Sequence, residues 1–140
     1  MEMIKLEFDV DGENFATAGE ASDAVKMRLK QLGIDSAIVR KVAIAMYEAE
    51  INMVIHADGG KAFVEIFEDR VELKLQDHGK GIADIELAMQ EGYTTAPDNI
   101  RNLGFGAGMG LPNMKKYSDK MHIESTVGVG TTVFMTINIQ

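Results

Sequence analysis

The segment Ile4 to Val10 alternates apolar and polar side chains, which predicts a strand with Ile4, Leu6, Phe8 and Val10 on one face. Asp11-Gly12 reads as the turn that ends it. Thr17-Ala18-Gly19-Glu20 has the form of a capping box, and Val25, Leu29 and Leu32 carry a helical pattern to a C-terminal cap at Gly33. A second helix begins at Asp35 or Ser36. Its apolar positions Ile38, Val42, Ala45, Met46, Ala49 and Met53 recur at three and four residues, and the pattern runs to about His56, where Asp58-Gly59-Gly60 ends it.

Lys61 to Phe67 and Arg70 to Gln76 read as two strands of a hairpin, joined through Glu68-Asp69. A short helix over Asp84 to Glu91 stops at Gly92. From Tyr93 to Phe105 no period is visible, so this stretch reads as a mobile loop of functional kind. Pro112 suits the first turn of a helix, which predicts a helix starting between Met109 and Leu111 and ending near Tyr117. Lys120 to Thr126 and Thr131 to Ile139 close the set as strands, with Val133, Met135, Ile137 and Ile139 on one face. Strands with helices grouped between them predict a two-layer α/β (α+β) sandwich with a mixed, mostly antiparallel sheet and helices on one face.

Composition narrows the picture. A chain of 140 residues with 46% apolar and 26% charged residues fits a single domain, residues 1–140, built on one core. No apolar run approaches the ~20 residues that span a bilayer, and Met1-Glu2-Met3-Ile4-Lys5 lacks the form of a signal segment, so no membrane contact and a cytoplasmic location are the expectation. There is no cysteine, which excludes disulfides, thiolate zinc sites and thiol nucleophiles. The ten methionines read as core filler. A net charge of -8 argues against direct nucleic-acid binding, and a phosphate ligand would need a cation or free helix amides to offset it.

Four constellations carry candidate chemistry. Glu48, Asn52 and His56 stand at i, i+4 and i+8 on the second helix, a stripe separate from its apolar one. A carboxylate there can act as a general base and an amide oxygen suits magnesium, although a solvated helix face has the same spacing. Asp77-His78-Gly79-Lys80-Gly81 ends a strand: the acid can accept from an exocyclic amino group, favouring adenine over guanine, or the segment is simply a turn. Gly104, Gly106, Gly108 and Gly110 lead into a helix whose amides can hold phosphates, with Arg101 and Lys80 as further contacts; a flexible hinge is the other reading. Gly128-Val129-Gly130-Thr131 alone reads as a hairpin turn. His78 and His122 have no partners at metal-binding spacing.

Taken in order, Glu48-x-x-x-Asn52, Asp77-x-Gly79-x-Gly81, the Gly104 to Leu111 run and Gly128-x-Gly130-Thr131 resemble the motifs of the GHKL ATPases, across about Ile38 to Val133. The resemblance implies the Bergerat fold, with ATP and magnesium between a helical layer and a mobile lid over about 93–106. It implies that Asn52 ligates magnesium, that Asp77 binds the adenine amino group, and that Gly106, Gly108 and Gly110 line the phosphate site. Gly79, Gly81, Arg101, Met109, Leu111 and Thr131 join the implied nucleotide contacts.

Within that superfamily the chain looks most like the small serine/threonine kinases of bacterial partner switching, the anti-sigma factors and the stressosome switch kinase. Gly81-Ile82-Ala83-Asp84-Ile85, Glu91-Gly92-Tyr93-Thr94-Thr95 and Gly106 to Pro112 carry this likeness. It implies that Glu48 is the base that activates a serine or threonine hydroxyl on an anti-sigma antagonist domain, with a sigma factor as a further partner, and it suggests a homodimer. The link Ala96 to Leu103 is longer than its counterpart in the switch kinase, so partner specificity does not carry over. Two other readings stay open at this level: a nucleotide-gated module that sequesters a partner without turnover, and a detached histidine-kinase ATPase domain.

Overall fold

The computed structural model describes residues 3–12, 18–57, 59–82, 84–89 and 110–139. Along the chain these form β1 (Ile4–Asp11), α1 (Glu20–Gln31), α2 (Ser36–His56), β2 (Gly59–Ile66), β3 (Arg70–Asp77), α3 (Ile85–Ala88), α4 (Gly110–Tyr117), β4 (Lys120–Thr126) and β5 (Gly130–Asn138). The elements match the periodic pattern closely because most are amphipathic with one buried side. The main shift is at Gly59-Gly60, which opens β2 instead of merely ending α2.

The five strands lie in the order β1-β2-β3-β5-β4. Two helices separate β1 from β2, so the chain returns to the end of the sheet it left and β2 pairs antiparallel with β1. β3 and β4 would run parallel if they were neighbours, as the expectation of a mixed sheet allowed. Instead β5 folds back from β4 into the slot between them, and the sheet is antiparallel at every described pairing.

One face of the sheet meets the helices. Its middle row runs Leu6, Val64, Leu73, Met135 and Met121 across all the strands in register. Val25 and Leu29 of α1, Val42, Met46 and Met53 of α2, and Met114 of α4 close over that face. Each such side chain, fully buried, contributes about 1.5–3 kcal/mol of transfer free energy. The opposite face carries the complementary positions, with Lys74 held between Phe63 and Phe134. The expectation that the methionines fill the core holds for Met46, Met53, Met114 and Met135, whereas Met27 is 55% exposed. Leu32 is exposed as well, since α1 has ended before it.

The helix starts obey different rules. Asp35 caps α2 as expected, its carboxylate accepting from the Ala37 amide at 2.9 Å. The capping box read at Thr17 to Glu20 turns on Thr17, which lies outside the described residues. The N-cap is Gly19, in a left-handed conformation (φ 99°) with no side chain to give. The acceptor comes from α2 instead: Glu50, buried, takes the amides of Gly19 and Ala21 on Oε2 and that of Ser22 on Oε1. This carboxylate, distant in sequence, also brings negative charge to the helix N-terminus.

Candidate functional site

β3 ends at Asp77, whose side chain is fixed by the backbone around it. Its Oδ1 accepts from the Gly79 amide at 2.9 Å and from the Thr131 amide at 3.2 Å. The first bond makes Asp77 to Gly79 a side-chain-closed turn, so the turn reading is correct as far as it goes. The second comes from β5 and sets the carboxylate's plane. Among the described residues, the hydrogen bonds to this carboxylate fall on Oδ1.

Two glycines let other chain segments come close around this strand end, Gly60 at Asp77 itself and Gly81 in the turn that follows. A Cβ on Gly60, its partner across β2, would sit 2.1 Å from the Gln76 carbonyl oxygen and 2.7 Å from Met53 Cε. Gly60 therefore lets α2 settle beside the strand end, with Met53 next to Asn52. Gly81 has φ 80°, and a Cβ there would lie 2.5 Å from the Thr126 carbonyl oxygen. The room that Gly81 makes is thus taken by the end of β4.

The β4–β5 connection is a hairpin turn, as read, and also a buttress for this loop. The Gly128 amide donates to the Lys80 carbonyl at 2.8 Å, and the Ile82 amide donates to Ser125 Oγ at 2.7 Å. Ser125 Oγ lies 2.8 Å from Thr131 Oγ1, whose own amide holds Asp77. Asp77, Thr131, Ser125 and Ile82 therefore form one hydrogen-bonded chain across three segments. Thr131 is buried.

The second part of the site lies between α2 and α4. Glu48 and Asn52 are half-buried, so the solvated-face reading of this stripe does not hold for them. They converge on Gly110, the first residue of α4: a Cβ there would stand 3.7 Å from Glu48 Oε2 and 3.8 Å from Asn52 Oδ1. Leu111 and Met114 are buried and anchor α4 against α2. Burial pushes the Glu48 carboxyl above its usual range, and a hydrogen bond from the Asn113 side chain opposes that shift in part. The neighbouring Tyr47 is also raised, by burial first and then by the charges of Glu48, Glu50 and Asp23.

Of the residues singled out from sequence, Glu48, Asn52 and Gly110 come together, Leu111 is buried in the core next to Gly110, and Asp77, Gly79, Gly81 and Thr131 come together at the strand end. Arg101, Gly106, Gly108, Met109 and the lid fall outside the described residues, as does the side chain of His56. Lys80 and His78 are exposed. Sequence reasoning missed Asn113, Ser125, Gly60 and Glu50. Asn113 had a signal, three residues after Gly110 on the same helix face; Ser125 had none, because its role depends on β4 lying beside the Gly81 turn.

The oxygens present suit magnesium. Asn52 offers one hard oxygen, the number expected where the ion draws its other ligands from phosphate and water. Among the described residues no group of three or more His, Asp or Glu could hold a metal by itself. A cavity of about 230 Å³ lies elsewhere, at the start of α1 beside Val10, Ala21 and Glu50, and takes in none of these site residues.

An α/β sandwich with a strand-end acid, an acid and an amide four residues apart on a helix, and a second helix starting against them defines a class. Residues 13–137 match the histidine kinase-like ATPase domain family, and the chain belongs to it. Its relatives within that family include anti-sigma F factors. That of Pasteuria penetrans is 33% identical over 98% of this chain and 91% of its own, and that of Clostridium novyi (strain NT) is 33% identical over 94% and 91%. Among solved structures, that of the RsbU and RsbW domains of Rv1364c from Mycobacterium tuberculosis superposes with a TM-score of 0.64 at 16% identity. That match covers 96% of this chain and 32% of the other, and it bears on the fold alone. Among the described residues no helix is long and apolar enough to cross a membrane.

Proposed function

We propose that this chain is an ATP-binding serine/threonine protein kinase of the anti-sigma-factor type, which phosphorylates a small anti-sigma antagonist domain in a partner-switching system. The observation that carries the reading is the convergence of Glu48 Oε2 and Asn52 Oδ1 on Gly110 at the start of α4. Family membership and the anti-sigma F factor relatives support it.

In this reading Asp77 Oδ2 accepts from the adenine amino group, its orientation set by the two amides on Oδ1. A guanine would present a carbonyl there, acceptor against acceptor, and be rejected. Leu111 and the first amides of α4 lie toward the triphosphate, which answers the problem of binding a polyanion on an acidic chain. Gly106, Gly108, Met109 and Arg101 belong to the same phosphate site. Asn52 would hold magnesium, which when bound neutralises charge on the phosphates.

Glu48 takes the proton of the acceptor hydroxyl as its oxygen bonds to the γ-phosphorus, while the bond from that phosphorus to the bridging oxygen breaks and ADP leaves. Burial makes Glu48 a stronger base than an exposed glutamate. The test is incubation with labelled ATP and purified anti-sigma antagonist domains from the source genome. Label on a serine or threonine in wild type, lost in Glu48→Ala, is the expected result; no label from either overturns the kinase reading.

A second reading draws on the relatives' description as anti-sigma factors, which speaks of capture: a nucleotide-gated module that sequesters a sigma factor without turnover. ATP-dependent partner capture unchanged in Glu48→Ala, with no label transferred, would favour it.

A further inference from the structure

Where β3, β5 and β4 leave the core, their helix-facing rows turn polar at one level. Leu75, Val133 and Ile123 form the last apolar row in register, and two residues further along each strand stand Asp77, Thr131 and Ser125. Ser125 is paired directly with Thr131 across the β4–β5 ladder, and the Thr131 amide reaches Asp77 Oδ1.

The Ser125 hydroxyl has three polar neighbours: the Ile82 amide at 2.7 Å, Thr131 Oγ1 at 2.8 Å and the Gly130 carbonyl oxygen at 3.3 Å. A serine hydroxyl has one proton to give and two lone pairs to accept with. The Ile82 amide can only donate and the Gly130 carbonyl can only accept, so they take one lone pair and the proton. The remaining lone pair takes the Thr131 proton, and all three contacts are then made together. With the opposite polarity, Ser125 donating to Thr131, the Gly130 contact would go unmade. Thr131 is buried, so water does not readily offer its hydroxyl another partner.

We infer that Ser125 is a positioning residue for purine selection: by taking the Thr131 proton it leaves Thr131 Oγ1 as an acceptor beside the Asp77 carboxylate. The inference rests on the reading of Asp77 as the adenine acceptor. An exocyclic amino group has two hydrogens, and a carboxylate and a hydroxyl oxygen side by side can take both. A purine with an oxo group there meets two acceptors and is refused. If the Thr131 proton were free to turn, that hydroxyl could donate to the oxo group, and the refusal would weaken. Ser125 thus turns a hydroxyl able to serve either purine into one that serves the amino form.

The experiment is calorimetry on the full chain with ATP, inosine triphosphate and purine riboside triphosphate, which carry an amino group, an oxo group and a hydrogen on the same ring carbon. Wild type is expected to bind ATP tightest. Ser125→Ala is expected to weaken ATP about tenfold, to leave inosine triphosphate unchanged or tighter, and to shift purine riboside triphosphate less than about threefold. The preference for ATP over inosine triphosphate then falls about tenfold or more, and Ser125→Thr, which keeps the hydroxyl, stays within about threefold of wild type. Equal weakening of all three nucleotides in Ser125→Ala marks a merely structural role and overturns the inference, as does an unchanged preference. A wild type that binds ATP and inosine triphosphate alike overturns Asp77 as the adenine acceptor, and the inference with it. Should the alanine disturb folding, Ser125→Val against Ser125→Thr, alike in shape except for the hydroxyl, carries the same comparison.

Discussion

Glu50→Ala removes a single carboxylate from the middle of α2 and is expected to loosen the first turn of α1. The carboxylate accepts three amides: Gly19 at 2.9 Å and Ala21 at 3.2 Å on one oxygen, and Ser22 at 3.0 Å on the other. Glu50 is 2% exposed, so water does not readily replace it. A stranded buried donor costs about 1–3 kcal/mol, and the loss of a cap about 0.5–2 kcal/mol. The three do not add in full, because exposed Glu20 and Asp23 leave part of that turn open to solvent. The expected loss is about 3–5 kcal/mol, comparable with breaking other buried charged contacts. Against a total of about 5–15 kcal/mol this is a large fraction. With a urea dependence near 1.5 kcal/mol/M, the unfolding midpoint should fall by about 2–3 M. Glu50→Gln should cost less, about 1–3 kcal/mol, since its oxygen can keep the Gly19 and Ala21 amides while its NH₂ faces that of Ser22. Urea unfolding followed by circular dichroism measures both. A Glu50→Ala midpoint within about 0.5 M of wild type, or Gln no better than Ala, would refute the account.

Asp77→Asn should keep the fold, because its amide oxygen can still take the Gly79 and Thr131 amides, yet weaken ATP binding by about 30-fold or more through lost charge and an NH₂ facing the adenine amino group; calorimetry showing unchanged affinity would move adenine elsewhere. Gly81→Ala should destabilise by about 2 kcal/mol or more, since its φ of 80° and the Thr126 carbonyl at 2.5 Å both oppose a Cβ, and thermal unfolding tests this. Gly110→Ala should fold normally, as its Cβ meets only ordinary contacts, but slow phosphoryl transfer by filling the space between Glu48 and Asn52; a wild-type rate would count against that space being the reaction site. Glu48→Gln should gain stability relative to wild type as pH rises. The folded carboxyl lies above its unfolded value, so the folded state binds more protons and wild-type stability falls from the usual carboxylate range up through the folded pKa. Unfolding at about pH 4 and about pH 8 checks it, and a gain larger at the acid end would contradict the sign.

The sequence by itself determined the periodic elements, and with them the two layers. Alternation in β1 and β5 and the three-and-four spacing in α2 are local consequences of burying one side, so they could be read directly. The spacing of Glu48 and Asn52, and Asp77 before two glycines, was legible for the same reason: each motif lies within one turn of helix or one strand end. Only the tertiary structure decided which strands are neighbours, because β5 enters between β3 and β4 by a choice that no local pattern encodes. It also decided that Glu50 serves the first turn of α1, since a carboxylate distant in sequence reaches those amides only after α1 and α2 have packed. Ser125 reaches the Ile82 amide beside the Gly81 turn for that same reason: hydrogen bonds between elements exist only once packing has fixed their rotation.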